Sequence, residues 1–458
     1  MSETKGFTSS FGAIAAAVGS AVGLGNIWRF PYICGQYGGG AFLLVYLCFV
    51  FFIGMALMIT EFVMGRHTRR TPIFAYETLA PSPKQRWWRY AGLLGLITSF
   101  LILALYLVIS GWTTNYFAES AVGRLAGLDS NAITEHFNSF SNSALRPIVF
   151  IAVFLAITAA VIIGGVQKGI ERVSKILMPV LVVLLMALCV RSATLPGAAK
   201  GFEYLFKPDF TQLTGQGILA ALGQALFSLS VGMGVMIVYG SYLPKDDNLL
   251  KTSIWITVCD TLIAILAGIA IFPAVFACGQ DPAGGPGLVF MTLPAVFNSM
   301  NPAEGLPIGT IFETIFFLLL VIAALTSAIS LLEALVAWGN EYNTKRSSRT
   351  RNTIILCGLM LVLSAVLSLS NGVWNGFTIG GKTLFGFVDQ LNSIYLPPLC
   401  SLCAVIFLGW VVKKEIIKEE LSNGGTLKTG YLGMFMFLIR FVAPAALLIV
   451  LITGILNG

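Results

Sequence analysis

Gly19-Ser20-Ala21-Val22-Gly23-Leu24-Gly25-Asn26-Ile27-Trp28-Arg29-Phe30-Pro31 lies inside the first long apolar segment, yet it sets three glycines within seven residues and a proline soon after. Glycine costs a helix interior about 1 kcal/mol against alanine, and lipid offers no partner to backbone groups that leave the helix. A helix interrupted here turns carbonyls inward, with the Asn26 amide beside them and Arg29 close behind. Carbonyls with an amide oxygen make a hard-oxygen site suited to a small hard cation. Small residues at this spacing also serve close helix packing, so the glycines alone leave both readings open.

Outside this stretch the composition is that of a polytopic membrane protein. Hydrophobic residues are 57% of the 458 and charged residues 11%, against about 25% charged in soluble domains. Residues 1–10 are polar and the first apolar stretch has no small-residue cleavage site after it, so no cleavable signal is expected. Cys400 and Cys403 form a CxxC inside an apolar helix, where packing is the expected role. His67 and His136 fall in polar connections, and no His, Cys or carboxylate constellation of an enzyme is seen. The reading is therefore a non-enzyme with no organic cofactor. The net charge of +7 follows from the positive-inside rule rather than from a nucleic-acid partner.

Spans of about 20 apolar residues are expected at 11–34, 41–65, 90–118, 147–165, 171–190, 216–240, 252–278, 309–338, 352–371, 384–412 and 432–456, eleven in all. Connections after even-numbered spans, with Lys5, hold twenty Lys and Arg, against six in the opposite loops. The N-terminus is therefore expected in the cytoplasm and, with an odd count, the C-terminus outside, in a plasma (inner) membrane. Of the external connections, 279–307 is rich in turns and is expected to fold back as a lid.

The broken stretch has an echo. Ser20-Ala-Val-Gly-Leu-Gly25 in span 1 is matched by Ser228-Leu-Ser-Val-Gly-Met-Gly234 in span 6, and each begins a block of five spans. Paired glycine-interrupted segments point to a midplane site between inverted repeats; transporters of the family named below are the type example of that rule. Five ionisable residues fall at membrane depth: Arg29, Glu61, Asp260, Glu333 and Asp389. Such groups are expensive there and mark a pathway or a partner. Asn26, Ser228, Ser230, Thr326 and Ser327 add amides and hydroxyls without thiol or imidazole, a donor set suited to Na⁺.

Gly19–Phe30 with Gly38-Gly39-Gly40-Ala41-Phe42, the run Gly223-Gln-Ala-Leu-Phe-Ser-Leu-Ser230, and Ala323-Ala-Leu-Thr-Ser327 together resemble the neurotransmitter:sodium symporter family over spans 1–10. The length resembles its bacterial eleven-helix branch, which transports hydrophobic amino acids. The resemblance implies an all-α, leucine-transporter-like fold of inverted five-helix repeats, 1–197 and 198–412, with an additional span in 413–458 and helices 1 and 6 unwound.

By position, the resemblance implies one sodium site at the Ala21 carbonyl, Asn26, Ser228 and Asp260, completed by the substrate carboxylate. It implies a second at the Gly19, Val22 and Ala323 carbonyls with the Thr326 and Ser327 hydroxyls. The substrate pocket would be lined by Ser20, Ala21, Leu24, Gly25, Ile102, Tyr106, Phe227, Ser230, Met233, Ser327 and Leu331. The Tyr106 hydroxyl and the Leu24 and Gly25 amides would hold a carboxylate. An outer gate would use Arg29, Phe227 and Asp389, with Asn392 one turn later as the other candidate partner of Arg29. An inner gate would use Ser241, Tyr242 and Glu341, with Lys5 and Phe7 in place of the family's arginine and tryptophan. Glu61 is expected to meet amides near Gly232, and the Gly169–Pro179 spacing to let span 5 unwind.

Two departures narrow the reading. Gly23 replaces the aspartate of monoamine carriers, so the substrate is expected to bring its own carboxylate. Met233 is flexible and adapts to different shapes, which with Ile102 and Leu331 suits hydrophobic L-amino acids, aromatic ones included. Asp260 stands where chloride-dependent relatives have asparagine, near positions matching their chloride ligands, Tyr46, Gln224 and Ser228, and Ala264 lacks their serine. Chloride-independent sodium symport by alternating access is the expectation; a proton-coupled permease using Asp260 is the alternative.

Overall fold

The computed structural model describes residues 6–282, 288–301, 307–343 and 348–457. The first expected span is a pair of helices, α1 (Ser10–Ala21) and α2 (Gly25–Gln36), bent by 46°. Then come α3 (Gly40–Thr68), α4 (Pro83–Ala121), α5 (Arg146–Ile163) and α6 (Val166–Ala193). The sixth expected span is again a pair, α7 (Gly215–Ser228) and α8 (Val235–Tyr242), each too short to cross a bilayer alone. It is followed by α9 (Leu249–Ala277), α10 (Ile308–Tyr342), α11 (Arg349–Asn371), α12 (Leu384–Val411) and α13 (Leu432–Leu456). Among the described residues nine helices are apolar and long enough to cross unbroken. Counting the bent first pair as one span gives up to ten, and the α7–α8 pair lies at the place of the sixth expected span.

Burial separates centre from rim. In the most apolar window of each helix, 78% of α10 and 72% of α4 is buried inside the protein, against 33% of α5, α6, α11 and α13. The rim helices turn Val, Ile, Leu and Phe outward, as Val183, Val362, Ile452 and Phe437 do, which is what lipid rather than water permits. Between α11 and α12 a small antiparallel hairpin pairs Thr378 with Thr383 and Ile379 with Lys382. Its two turn residues, Gly380 and Gly381, both have positive φ, the twist that two-residue hairpins need.

The breaks have local causes. Ser9 caps α1 by accepting from the Gly12 amide at 3.1 Å, and Val22 leaves the helix at φ −75°, ψ 103°. A Cβ at Gly23 would collide with the Ser327 hydroxyl. In the second break Ser230 sits at φ +52°, Gly232 at +76° and Gly234 at +74°, a region that ordinary L-residues pay about 1–2 kcal/mol to enter. A Cβ at Gly232 would also run into the Pro397 carbonyl.

The expected lid is described in part. Leu288–Asn301 lies over the ends of α4 and α10: Phe290 contacts Trp112, Tyr116 and Phe317, and Asn298 Nδ2 donates to the Leu125 carbonyl at 2.7 Å. Residues 283–287 and 302–306 of that connection lie outside the described residues. At the opposite, basic end, the helix Lys414–Leu421 is clamped to α3. Arg66, 2% exposed, donates through Nε to Glu420 Oε2 at 2.6 Å, and His67 Nδ1 lies 3.1 Å from Oε1.

Burial pushes the Glu420 carboxyl up, but the His67 and Arg66 bonds and charges outweigh it and hold the group below its ordinary value. A depressed carboxylate adds stability that is present above the unfolded value and fades as pH falls through the folded one. The melting-midpoint gap between the wild type and Glu420→Gln is therefore expected to close below about pH 4; a gap that widens in acid contradicts the clamp. Gly232→Ala is expected to destabilise by at least about 1–2 kcal/mol, read as a lower melting midpoint in detergent. Gly223→Ala, in mid-helix with its nearest neighbour 3.5 Å away, should hold or raise it.

Candidate functional site

Both breaks open onto one polar site. Under the first, Asn26 Nδ2 donates to Asp260 Oδ1 at 2.8 Å, lies 3.0 Å from the Asp260 carbonyl and 3.1 Å from Ser228 Oγ. Ser228 Oγ donates to Asp260 Oδ2 at 2.7 Å, and Asn26 Oδ1 accepts from the Gly23 amide at 3.3 Å. Asn26, Ser228 and Asp260 are buried, and they come from α2, α7 and α9. Tyr46 donates to Ser228 Oγ at 3.2 Å, and Gln224 Nε2 donates to the Gly25 carbonyl at 2.8 Å. Three of the four groups expected in the first ion site, Asn26, Ser228 and Asp260, are thus hydrogen-bonded to one another, and Ala21 lines the adjoining cavity.

The second expected cluster also assembles. Thr326 Oγ1 lies 3.1 Å from the Ala323 carbonyl, 3.3 Å from that of Ile322 and 3.4 Å from that of Val22. Ser327 Oγ lies 3.1 Å from the Ser20 carbonyl and 3.4 Å from that of Val22. A Cβ on Gly19 would touch Thr326 at 3.4 Å. A hydroxyl has one proton to donate, so several of these oxygen pairs face each other without a hydrogen between them. Such a crowd of carbonyl and hydroxyl oxygens is what a hard cation relieves.

Between the breaks lies a small cavity lined by every expected pocket residue except Leu24, and by Gly23 as well. Leu24 lines an adjoining cavity that shares Ile102, Tyr106 and Phe227. The Tyr106 hydroxyl accepts from the Leu24 amide at 3.0 Å. Ser230 Oγ donates across the cavity to the Ser20 carbonyl at 3.0 Å, and Ser99 Oγ to that of Met233 at 2.6 Å. Ile102, Met233 and Leu331 are buried, so its apolar wall holds no charge.

On the side expected to be outer, Arg29 stacks over Phe227 at 4.7 Å and lines the adjoining cavity with Asp389 and Asn392. Arg29 and Asp389 form no ion pair among the described residues; Asp389 Oδ1 instead accepts from Ser393 at 3.3 Å. The trio expected at the inner gate separates. Glu341 accepts from Arg70 Nε at 2.7 Å and from the Thr71 amide and hydroxyl at 2.8 and 2.6 Å, while the Ser241 hydroxyl turns back to the Val238 carbonyl at 2.6 Å. Tyr242 donates to Glu333 Oε1 at 2.7 Å, and its carbonyl accepts from the Phe7 amide at 3.1 Å. Phe7 packs edge-on against Tyr239 and Tyr242; Lys5 lies outside the described residues.

Glu61 Oε1 accepts from the Gly232 amide at 2.7 Å, the contact expected of it. The partner of Glu333 was not visible in the sequence. Arg349, at the start of α11, holds both its oxygens and donates through Nε to the Ile162 carbonyl at 2.6 Å. The only signal was an arginine opening a span, which the charge count absorbed. Ile162 lies in the last turn of α5, just before the loosely wound turn Val166–Glu171, so the pair ties the end of α5 to Glu333 of α10.

A lipid-facing bundle with two helices broken at one buried polar site, closed on either side by aromatic and charged side chains, is the architecture of a carrier. The Sodium:neurotransmitter symporter family model matches residues 5–146 and 139–458, and the chain belongs to that family. It is 39% identical, over all of both chains, to the uncharacterized sodium-dependent transporter YhdH of Bacillus subtilis. An uncharacterized sodium-dependent transporter of Haemophilus influenzae is 34% identical over 96% of each chain. The crystal structure of MhsT in complex with L-phenylalanine superposes with a TM-score of 0.89 at 41% identity, covering 98% of this chain and 99% of that one.

Removing one member of the Glu333–Arg349 pair strands the other in a buried setting, at a cost of about 3–5 kcal/mol. Arg349→Met is expected to lower the melting midpoint sharply and Arg349→Met with Glu333→Gln to restore most of it. A double variant no better than the single one would show that the two side chains act separately.

Proposed function

We propose that the protein is a sodium-coupled symporter that imports hydrophobic L-amino acids, aromatic ones included, by alternating access and without chloride. The observation that carries this reading is the crowding of carbonyl and hydroxyl oxygens from Ser20, Val22, Ala323, Thr326 and Ser327 beside a cavity lined by Tyr106, whose hydroxyl already holds the Leu24 amide. Sodium fits that cluster and the Asn26–Ser228–Asp260 cluster, giving two sites with no organic cofactor. The substrate carboxylate would meet Tyr106 and the Leu24 and Gly25 amides, its side chain Ile102, Met233 and Leu331. An aromatic side chain is favoured by the relative solved with L-phenylalanine.

Chloride independence rests on Asp260. Its carboxylate borders Tyr46 and Ser228, so a chloride ion beside them would face an anion. In this reading the repeats 1–197 and 198–412 move against each other, with 413–458 as an added span. The basic end faces the cytoplasm of an inner membrane, and the C-terminus lies outside. Because a ligand shifts a conformational equilibrium only by its differential affinity for the states, sodium stabilises the form that the substrate completes.

Counterflow of a labelled hydrophobic amino acid into proteoliposomes tests this. Uptake is expected in sodium, absent in choline at constant pH, and unchanged when gluconate replaces chloride. Uptake that persists in choline supports a proton-coupled permease using Asp260, and uptake lost in gluconate overturns chloride independence. Asn26→Ala and Thr326→Ala are each expected to weaken sodium-dependent substrate binding about tenfold or more, the loss of one or two charge-assisted contacts.

A further inference from the structure

Arg440 is the only charged residue in α13, eight residues in from its basic end and so about 12 Å along the helix. It faces α12, where its Nε donates to the Gly409 carbonyl at 2.7 Å and its guanidinium lies over the Trp410 ring at 5.5 Å. Gly409 leaves room for the side chain; a Cβ there would sit 3.2 Å from Arg440 Cγ. Among the described residues no carboxylate pairs with Arg440. Its two terminal nitrogens keep four N–H donors.

An arginine on a rim helix snorkels toward the headgroups and needs an anion there. Just beyond Gly409, α12 ends and the chain carries Lys413 and Lys414, both exposed, followed by Glu415, Lys418 and Glu419 on the next helix. Below them the rim is aromatic: Trp410, Phe437 and Phe441 are 58, 56 and 55% exposed, with Trp410 and Phe441 in edge contact at 5.8 Å. A planar guanidinium matches two oxygens of a phosphate, while aromatic rings at this level suit acyl chains.

We propose that the groove between α12 and α13 binds an anionic phospholipid, its phosphate on Arg440, its net negative charge attracted also by Lys413 and Lys414, its chains along Trp410 and Phe441. Basic pockets between helices at this kind of membrane face are fitted to such headgroups. A free phosphate would satisfy the guanidinium and leave the aromatic face unused, so the lipid is the ligand assigned. The assignment is independent of what the protein carries.

The test is native mass spectrometry of the full-length protein in nonionic detergent, titrated with phosphatidylglycerol, phosphatidylcholine or inorganic phosphate. Phosphatidylglycerol is expected to bind, with affinity about tenfold lower in Arg440→Gln; phosphatidylcholine should bind far more weakly and inorganic phosphate should not displace the lipid. Equal affinity in the wild type and Arg440→Gln, equal binding of the two lipids, or displacement by phosphate overturns the proposal. Should Arg440→Gln not fold, the exposed double variant Lys413→Gln with Lys414→Gln decides it: a loss of about fivefold is expected, and unchanged affinity overturns the site.

Discussion

Backbone amides and carbonyls freed from a helix inside a lipid-surrounded bundle must find partners within the protein, because each left bare costs several kcal/mol. The two breaks free such groups, and side chains from three unbroken helices and from the half-helix α7 meet them. Tyr106 and Ser99 of α4 take the Leu24 amide and the Met233 carbonyl. Glu61 of α3 takes the Gly232 amide, Gln224 of α7 the Gly25 carbonyl, and Ser327 of α10 the Ser20 carbonyl. These polar residues of the core are therefore explained by the breaks.

That dependence explains why α4 and α10 are the most buried of the nine unbroken spans among the described residues. They hold the broken pairs in place, so their positions are set by hydrogen bonds as well as by packing. It also explains the glycines, since a side chain at Gly23 or Gly232 would occupy space that Ser327 or the Pro397 carbonyl already fills. The glycines supply conformation and room together, which is why neither propensity nor packing alone accounts for them.

The spans were legible because lipid imposes long apolar runs, and the breaks because glycines and small polar residues interrupt those runs at matching places. Asn26, Asp260 and Thr326 stood out as polar groups in apolar helices. What could not be read was pairing across the fold. Nothing near Glu333 points to Arg349, and nothing near Glu341 points to Arg70 and Thr71, because an ion pair between residues distant in sequence leaves no local pattern. Glu341 and Tyr242, joined by family resemblance as one gate, bind different partners in this structure. The π-type turn at Leu438–Val442 that carries Arg440 was equally invisible, since it does not change the apolar count.

The two oxygen clusters differ in a way that bears on coupling under the proposed function. In the Asn26–Ser228–Asp260 cluster the polar hydrogens have acceptors and one member is a carboxyl group. In the cluster around Thr326 and Ser327 the ligands are neutral and short of hydrogens. A cation entering the first must compete with hydrogen bonds already made, whereas one entering the second relieves oxygens in close approach. The neutral cluster bridges α10 to the end of α1, joining a buried helix to a broken one. Its occupation therefore favours the arrangement in which those two helices stay together, while the first cluster, beside the cavity and the Gly25 carbonyl, is where ion and substrate carboxylate can share a shell. Under the proposed function, ion binding at one place would fix the frame, and at the other it would meet the cargo.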